Sequence, residues 1–197
     1  MHIHSATHIM IAGSRYAVSA SQRVEMLDYA RRVVQRAHEK GYIVLVGDNP
    51  QGVDMAVVQE CRRLKTKVIV AGIANIPRNG GCWHGTYIKV TRDLYRVAGG
   101  DLLGGYTARD RWMVDSCQRA IFVWNGDSPG TKIGYDYAMQ RGKEAHLINF
   151  DRVECPAERL GEVGLGLLFE PLGEAVLGDH ECLASLYNAH KRNDSEG

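Results

Sequence analysis

Three short stretches of the chain carry residue types suited to holding an anion. They are Gly13-Ser14-Arg15, Gly47-Asp48-Asn49-Pro50-Gln51-Gly52-Val53-Asp54, and Asn125-Gly126-Asp127-Ser128-Pro129-Gly130-Thr131. Glycine lets backbone N–H groups approach a charged oxygen closely. A helix that starts in such a loop adds unsatisfied donors and about half a positive charge. Phosphate is the anion this chemistry suits. Arg15, with Arg109 and Arg111 further on, offers the planar guanidinium fork that pairs with phosphate oxygens, although Arg109 and Arg111 cannot share one helix face. Asp54 would repel a phosphate and suits a ribose hydroxyl better. Each loop taken singly also satisfies plain strand-to-helix geometry: Asp54 then reads as a cap, and Ser128-Pro129 as an N-cap followed by proline at the first helical position.

Other side chains could complete such a site. Trp83, Trp112, Trp124 and Tyr106 are the candidates for stacking on a base; Trp83 lies in a polar, glycine-rich stretch, whereas Trp124 ends an apolar run and reads as core. His84 reads as a hydrated loop histidine. Asp136, Asp127 and Asp54 are the carboxylates available for acid–base or electrostatic work. No metal site is expected, because His2, His4 and His8 alternate at the chain start with no carboxylate or cysteine near them in sequence. Neither GxxxxGK[ST] nor a GxGxxG after the first apolar run is present, so a P-loop and the standard dinucleotide fingerprint are both excluded.

These residues need a scaffold that brings the loops together. Apolar runs of strand length alternate with amphipathic stretches of helix length, the signature of a parallel sheet with crossover helices. Strands are predicted at His8 to Ala12, Tyr42 to Val46, Lys67 to Ala71, Ala120 to Trp124 and Ala145 to Phe150, with helices at Ser21 to Lys40, Val53 to Leu64, Thr107 to about Cys117, and Ile133 to Gln140. Gly41 and Gly142 read as helix stops. Thr107 is expected to cap its helix, with Asp110 as a short-armed capping-box partner. Between Gly72 and Gly105 the rhythm lapses into a glycine-rich stretch with one helical segment, Tyr87 to Val97. After Asp151, Leu167 to Glu170 reads as an edge strand and His180 to His190 as a terminal helix.

The composition agrees with one α/β domain. The 197 residues are 45% apolar and 24% charged, which fits a single globular unit near the ~150-residue domain size and excludes disorder, collagen and coiled coil. We place the core at about 7–150 and a C-terminal extension at 151–197. The formal charge of +1 gives no global attraction to nucleic acid or anionic membrane, so an anion must be held by a local site. No apolar run approaches the ~20 residues of a membrane span, and no signal peptide is evident at the start. The five cysteines are scattered, without a CxxC pair, as in a cytoplasmic protein with unpaired thiols.

The motifs, in their order along the chain, resemble the SLOG superfamily. Gly13-Ser14-Arg15 follows the first strand, Gly52-Val53-Asp54 the second, Arg109-Asp110-Arg111-Trp112-Met113 precedes the fourth, and Trp124 to Thr131 follows it. That superfamily includes the LOG phosphoribohydrolases and the core of DNA-processing protein A. The resemblance implies a doubly wound, mostly parallel, Rossmann-like three-layer sandwich that binds a nucleotide or nucleotide-derived ligand, and it suggests a homodimer. The residues it assigns to the ligand are Gly13, Ser14, Arg15, Gly52, Asp54, Arg109, Gly126, Ser128, Gly130 and Thr131, with phosphate at the first loop and the Gly130-Thr131 turn. The chain departs from LOG enzymes at one position: the glutamate of their GTxxE is Gly134 here. N-glycosidic cleavage passes through a cation-like transition state that wants a carboxylate beside the anomeric carbon. Asp136, two residues on, lies about 200° around a helix axis.

The sequence therefore points first to a ligand-binding sensor or carrier with no cofactor. An N-glycosidase acting on nucleotides or nucleoside phosphates, through Asp136, Asp127 or Asp54, is the alternative. Single-strand DNA binding is disfavoured, because the basic residues are not interleaved with aromatic ones.

Overall fold

A computed structural model describes residues 7–90, 105–151 and Phe169. β1 (His8–Gly13) leads through α1 (Ala20–Glu39) to β2 (Ile43–Gly47), and α2 (Gly52–Leu64) leads to β3 (Val68–Gly72). A short β4 (Thr86–Lys89) follows, then α3 (Gly105–Asp115), β5 (Arg119–Trp124), α4 (Pro129–Gln140) and β6 (Glu144–Asn149). All neighbouring strands are parallel, in the order β4-β3-β2-β1-β5-β6. Strands are laid outward from β1 in one direction and from β5 in the other. The reversal makes a switch point, where a crevice opens at the carboxyl ends of β1 and β5.

Side chains alternate along each strand, and this divides the core into two layers. Ile9, Ile11, Val44, Val46, Ile121 and Val123 face α1 and α2, where Tyr29, Val33, Val34, Val57 and Cys61 meet them. Their neighbours Met10, Leu45, Ala120 and Phe122 face the other way, onto Trp112, Met113 and Val114 of α3 and Ala138 of α4. Both faces are covered, which is why these strands read as continuous apolar runs. The fold is the α/β, Rossmann-like sandwich that the sequence predicts, and the five predicted strands all lie in one sheet.

Several boundaries differ. α4 starts at Pro129 rather than Ile133, so Gly130 and Thr131 form its first turn instead of a loop; proline at the first position starts the helix ahead of its apolar residues. α3 starts at Gly105, which puts Thr107 inside the helix and not at its cap. The segment from Tyr87, predicted helical, is β4 as far as Lys89, paired with Ile69 to Gly72. Its four residues are too few to show a period. The predicted helix at 180–190 lies outside the described residues, as does the predicted edge strand at 167–170 apart from Phe169. Phe169 is buried and stacks on Tyr42, with ring centroids 5.9 Å apart. No described helix is long and apolar enough to cross a membrane.

Candidate functional site

The loops after β1, β2 and β5 are tied together before any ligand is considered. Ser14 is almost fully buried; its Oγ donates to Asn125 Oδ1 at 2.9 Å and accepts from the Asn125 amide at 3.1 Å. Asn125 Oδ1 also accepts from the amides of Asp127 and Ser128, and its Nδ2 donates to the Tyr16 carbonyl. Ser19 caps α1 by accepting from the Gln22 amide, and Gln22 Nε2 donates to the carbonyls of Asn125 and Phe150. Gly52 makes the second loop's approach possible. It has φ +65°, and a Cβ there would lie 2.5 Å from the Arg15 carbonyl oxygen. Gly126, at φ +89°, leaves no room for a Cβ beside Asp151.

These ties frame an open cleft at the switch point, with a volume of about 70 Å³. Gly13 and Arg15 line it from the first loop, Asn49 and Asp54 from the second, Arg109 and Asp110 from α3, and Gly130, Thr131 and Gly134 from α4. Met10, Ala12 and Phe122 form its floor. The volume is well below the roughly 300–1,000 Å³ of pockets that enclose a whole small ligand, so it suits a phosphate or sugar with the rest of the molecule outside. α4 presents its N-terminus here. Ser128 stands at the N-cap position without accepting from a backbone N–H of the helix, and the first turn holds no acidic residue. Thr131 Oγ1 donates to Ser128 Oγ at 3.2 Å.

Behind the cleft runs a chain of alternating charge, buried at Asp48 and Arg109 and half-buried at its ends, Arg78 and Asp110. Arg78 reaches Asp48 with Nη2 at 2.7 Å and Nε at 3.1 Å, Arg109 Nη1 reaches the same carboxylate at 3.1 Å, and Arg109 also holds Asp110 at 2.6 Å. Gly47 makes space for it, because a Cβ there would collide with Asp54 Oδ2 and stand 2.9 Å from Arg109 Nη1. Burial opposes ionisation of Asp48, but Arg78 and Arg109 outweigh it and hold the carboxyl below its ordinary range. Burial likewise disfavours the Arg109 charge, and Asp110, Asp54 and Asp48 more than restore it. Asp54 goes the other way. Burial raises its pKa to about 6, against the pull of Arg109 and with the repulsion of Asp110 and Asp48. A carboxyl that titrates near neutrality and lines a cleft can accept from a hydroxyl or exchange a proton.

The predicted ligand residues thus divide by position. Gly13, Arg15, Asp54, Arg109, Gly130 and Thr131 converge on the cleft. Ser14, Gly52, Gly126 and Ser128 set the backbone around it. Asp127 is exposed on the loop, and Asp136 pairs with Lys132 on α4; neither lines the cleft. Arg111 lies over the Tyr137 ring at 4.8 Å, away from Arg109. Trp112 is buried in the α3–α4 core. Trp124 donates Nε1–H to the Ser128 carbonyl. The Tyr106 side chain is outside the described residues. Trp83 is 79% exposed, just before the start of β4 and hence at the amino edge of the sheet, opposite the cleft. It packs edge-on against His84, whose Nε2 is 3.0 Å from the Thr66 carbonyl. Asp48 and Asn49 lie in the second predicted loop and Asp110 in the Arg109 motif, but none of the three was singled out as a ligand residue, and Arg78 was not foreseen at all. Asp110 serves Arg109 rather than a capping box.

The fold has known counterparts. The molybdenum cofactor binding protein from Rippkaea orientalis is similar over 95% of this chain and 99% of its own, with TM-score 0.57 and 16% identity. The molybdenum cofactor carrier protein of Chlamydomonas reinhardtii matches at TM-score 0.54 and 18% identity, over 73% of this chain and 76% of its own. DNA processing protein A from Streptococcus pneumoniae matches at TM-score 0.52 and 16% identity, over 72% of this chain and 50% of its own. No protein-family model and no curated protein matches the chain. These likenesses show a shared Rossmann-like fold, the architecture expected from the sequence.

Proposed function

We propose that the cleft binds a nucleotide or nucleotide-derived small molecule and that the protein is a sensor or carrier of that ligand. The observation that carries this reading is the convergence of Arg15 and the first turn of α4 on one small cleft at the switch point. A phosphate there meets the Arg15 guanidinium, the unencumbered backbone at Gly130, and the positive end of the helix. Asp54 and Asp110, on the opposite wall, suit ribose hydroxyls. Ser14, Gly52, Gly126 and Ser128 act by holding these groups in place. Proteins of the same fold that bind or carry the molybdenum cofactor support the carrier role.

In this reading the protein is cytoplasmic, which agrees with the free thiols of Cys61, Cys82 and Cys117. It forms a homodimer, with Ile133 and Met139, both more than half exposed on α4, among the apolar residues a second copy would cover. Native mass spectrometry of freshly purified protein, followed by titration with AMP, tests the binding reading: a co-purified nucleotide or saturable AMP binding supports it. Absence of both would leave glycine, serine and threonine as mere strand-to-helix turns.

The N-glycosidase reading keeps one specific support. Of its three candidate carboxylates, Asp54 is the one in the cleft. Release of free base from AMP that disappears in Asp54→Asn while binding persists would make the protein an enzyme.

A further inference from the structure

A second, larger cavity of about 480 Å³ adjoins the cleft, and Arg15 lines both. It is a groove between α1 and α2. Arg23, Leu27 and Arg31 recur every four residues along α1, and Gln51, Met55 and Gln59 do so along α2, so each helix offers one continuous face. Eight residues at 1.5 Å each make the groove about 12 Å long. Its charge is one-sided: none of its described lining residues is acidic, and among the described residues neither Arg23 nor Arg31 forms an ion pair. Gln51, at the α2 N-cap, makes no side-chain bond to that helix, so its amide also faces the groove. Leu27, Met55 and Ala56 supply an apolar strip between the guanidinium and amide groups.

A mononucleotide phosphate in the cleft lies beside Arg15 and leaves Arg23, Arg31 and this volume unused. We propose that the groove is a second subsite of the same ligand: the molecule runs from the cleft past Arg15, and Arg23 and Arg31 take additional anionic charge. The ligand class is then a nucleotide extended through a second phosphate to another sugar or nucleoside, with a ring on the apolar strip. This rests on the binding reading given above and narrows its ligand.

The test compares AMP with ADP-ribose, which is AMP plus a second phosphate and a second sugar, by calorimetric titration at low salt. Arg23 is exposed and Arg31 half-buried, so Arg23→Gln/Arg31→Gln keeps the fold, as a thermal melt within two degrees of the parent would verify. Wild type should bind ADP-ribose about tenfold more tightly than AMP. The double variant should lose about that factor for ADP-ribose and less than twofold for AMP, while Arg15→Ala weakens both. Equal binding of the two ligands, or an ADP-ribose affinity unmoved by the double variant, overturns the groove proposal and leaves the cleft reading standing. Failure of AMP to bind at all overturns the cleft reading and the proposal with it. A double variant that changes the oligomeric state in light scattering, with ligand affinities unchanged, assigns the groove to a second copy and overturns the proposal.

Discussion

Nη1 of Arg109 stands 3.1 Å from Oδ1 of Asp48, joining α3 to the end of β2 across 61 positions of sequence. The carboxylate is fully buried and is shared with Arg78, while Arg109 extends the series to Asp110. Asp48 and Arg109 are the buried members, and removing either leaves the other's charge buried with fewer partners. Asp48→Asn and Arg109→Met should each destabilise the fold by about 3–5 kcal/mol. Urea unfolding measures this; a loss under ~1 kcal/mol would mean that water screens the group.

Asp54 gives the cleft a pH dependence whose sign can be worked out. Its carboxyl titrates at about 6 in the folded protein against 3.8 ordinarily. Between those values the folded state keeps a proton that the unfolded state has lost, so this contribution to stability is full below about pH 4 and is lost as pH rises through 6. At pH 8 the ionised group costs up to about 3 kcal/mol, from roughly two pH units at ~1.36 kcal/mol each. Asp54→Asn should therefore gain stability relative to the parent as pH rises from 4 to 8. Asp48 contributes with the opposite sign in both proteins and cancels. Urea midpoints at pH 4, 6 and 8 decide it, and a difference independent of pH refutes the buried-acid assignment.

The strands and loops were legible because two-sided burial writes β1, β2, β3 and β5 as apolar runs, with glycines near several of their ends; β6, at the sheet edge and only half-buried, showed through Ala145, Leu147 and Ile148 after the Gly142 stop. β4 was not legible, and its omission had a consequence for Trp83. A loop leaving β3 begins at the carboxyl edge, but one that then enters a parallel β4 must finish at the amino edge, and Trp83 sits at that finish. The charged series was hidden for another reason. Arg78 and Asp48 are 30 positions apart, Arg109 and Asp48 are 61 apart, and no local spacing records such a pairing. Gly47 was visible as a turn residue, yet its room for Asp54 and Arg109 emerges only from packing.

Trp83 provides a control. Standing 79% exposed at the far edge, it should be replaceable by phenylalanine with a stability change within about 0.5 kcal/mol and AMP affinity unchanged within about twofold. Titration of the variant checks this. A large loss of affinity would place the ligand somewhere other than the cleft.

Two glycines of the cleft should respond oppositely to alanine. A Cβ on Gly13 would lie 2.5 Å from the Val123 carbonyl oxygen and 2.7 Å from Val53 Cγ2, and that carbonyl accepts the Ser14 amide. Gly13→Ala must push β1 from β5, at about 1–3 kcal/mol. A Cβ on Gly130 meets nothing within 4 Å. Gly130→Ala should stabilise α4 by about 0.4–1 kcal/mol by restricting the unfolded chain, yet weaken AMP binding, because the methyl group occupies space a phosphate would use. Thermal melts and titrations on both variants separate the effects.

Arg15 and Thr131 distinguish charge from neutral polarity at the phosphate. A charge-assisted bond contributes ~1.5–3 kcal/mol and a neutral one ~0.5–1.5 kcal/mol, so Arg15→Ala should weaken AMP about tenfold to a hundredfold and Thr131→Ala less. Raising salt should shrink the Arg15 effect more than the Thr131 effect, since only the first is screened. Thr131 is nearly buried and its hydroxyl already bonds Ser128 Oγ, so Thr131→Ser retains that bond and serves as the conservative comparison. If Arg15→Ala left AMP affinity intact, phosphate would have to be held by backbone alone, and the cleft would lose the side chain on which its assignment to an anionic ligand rests.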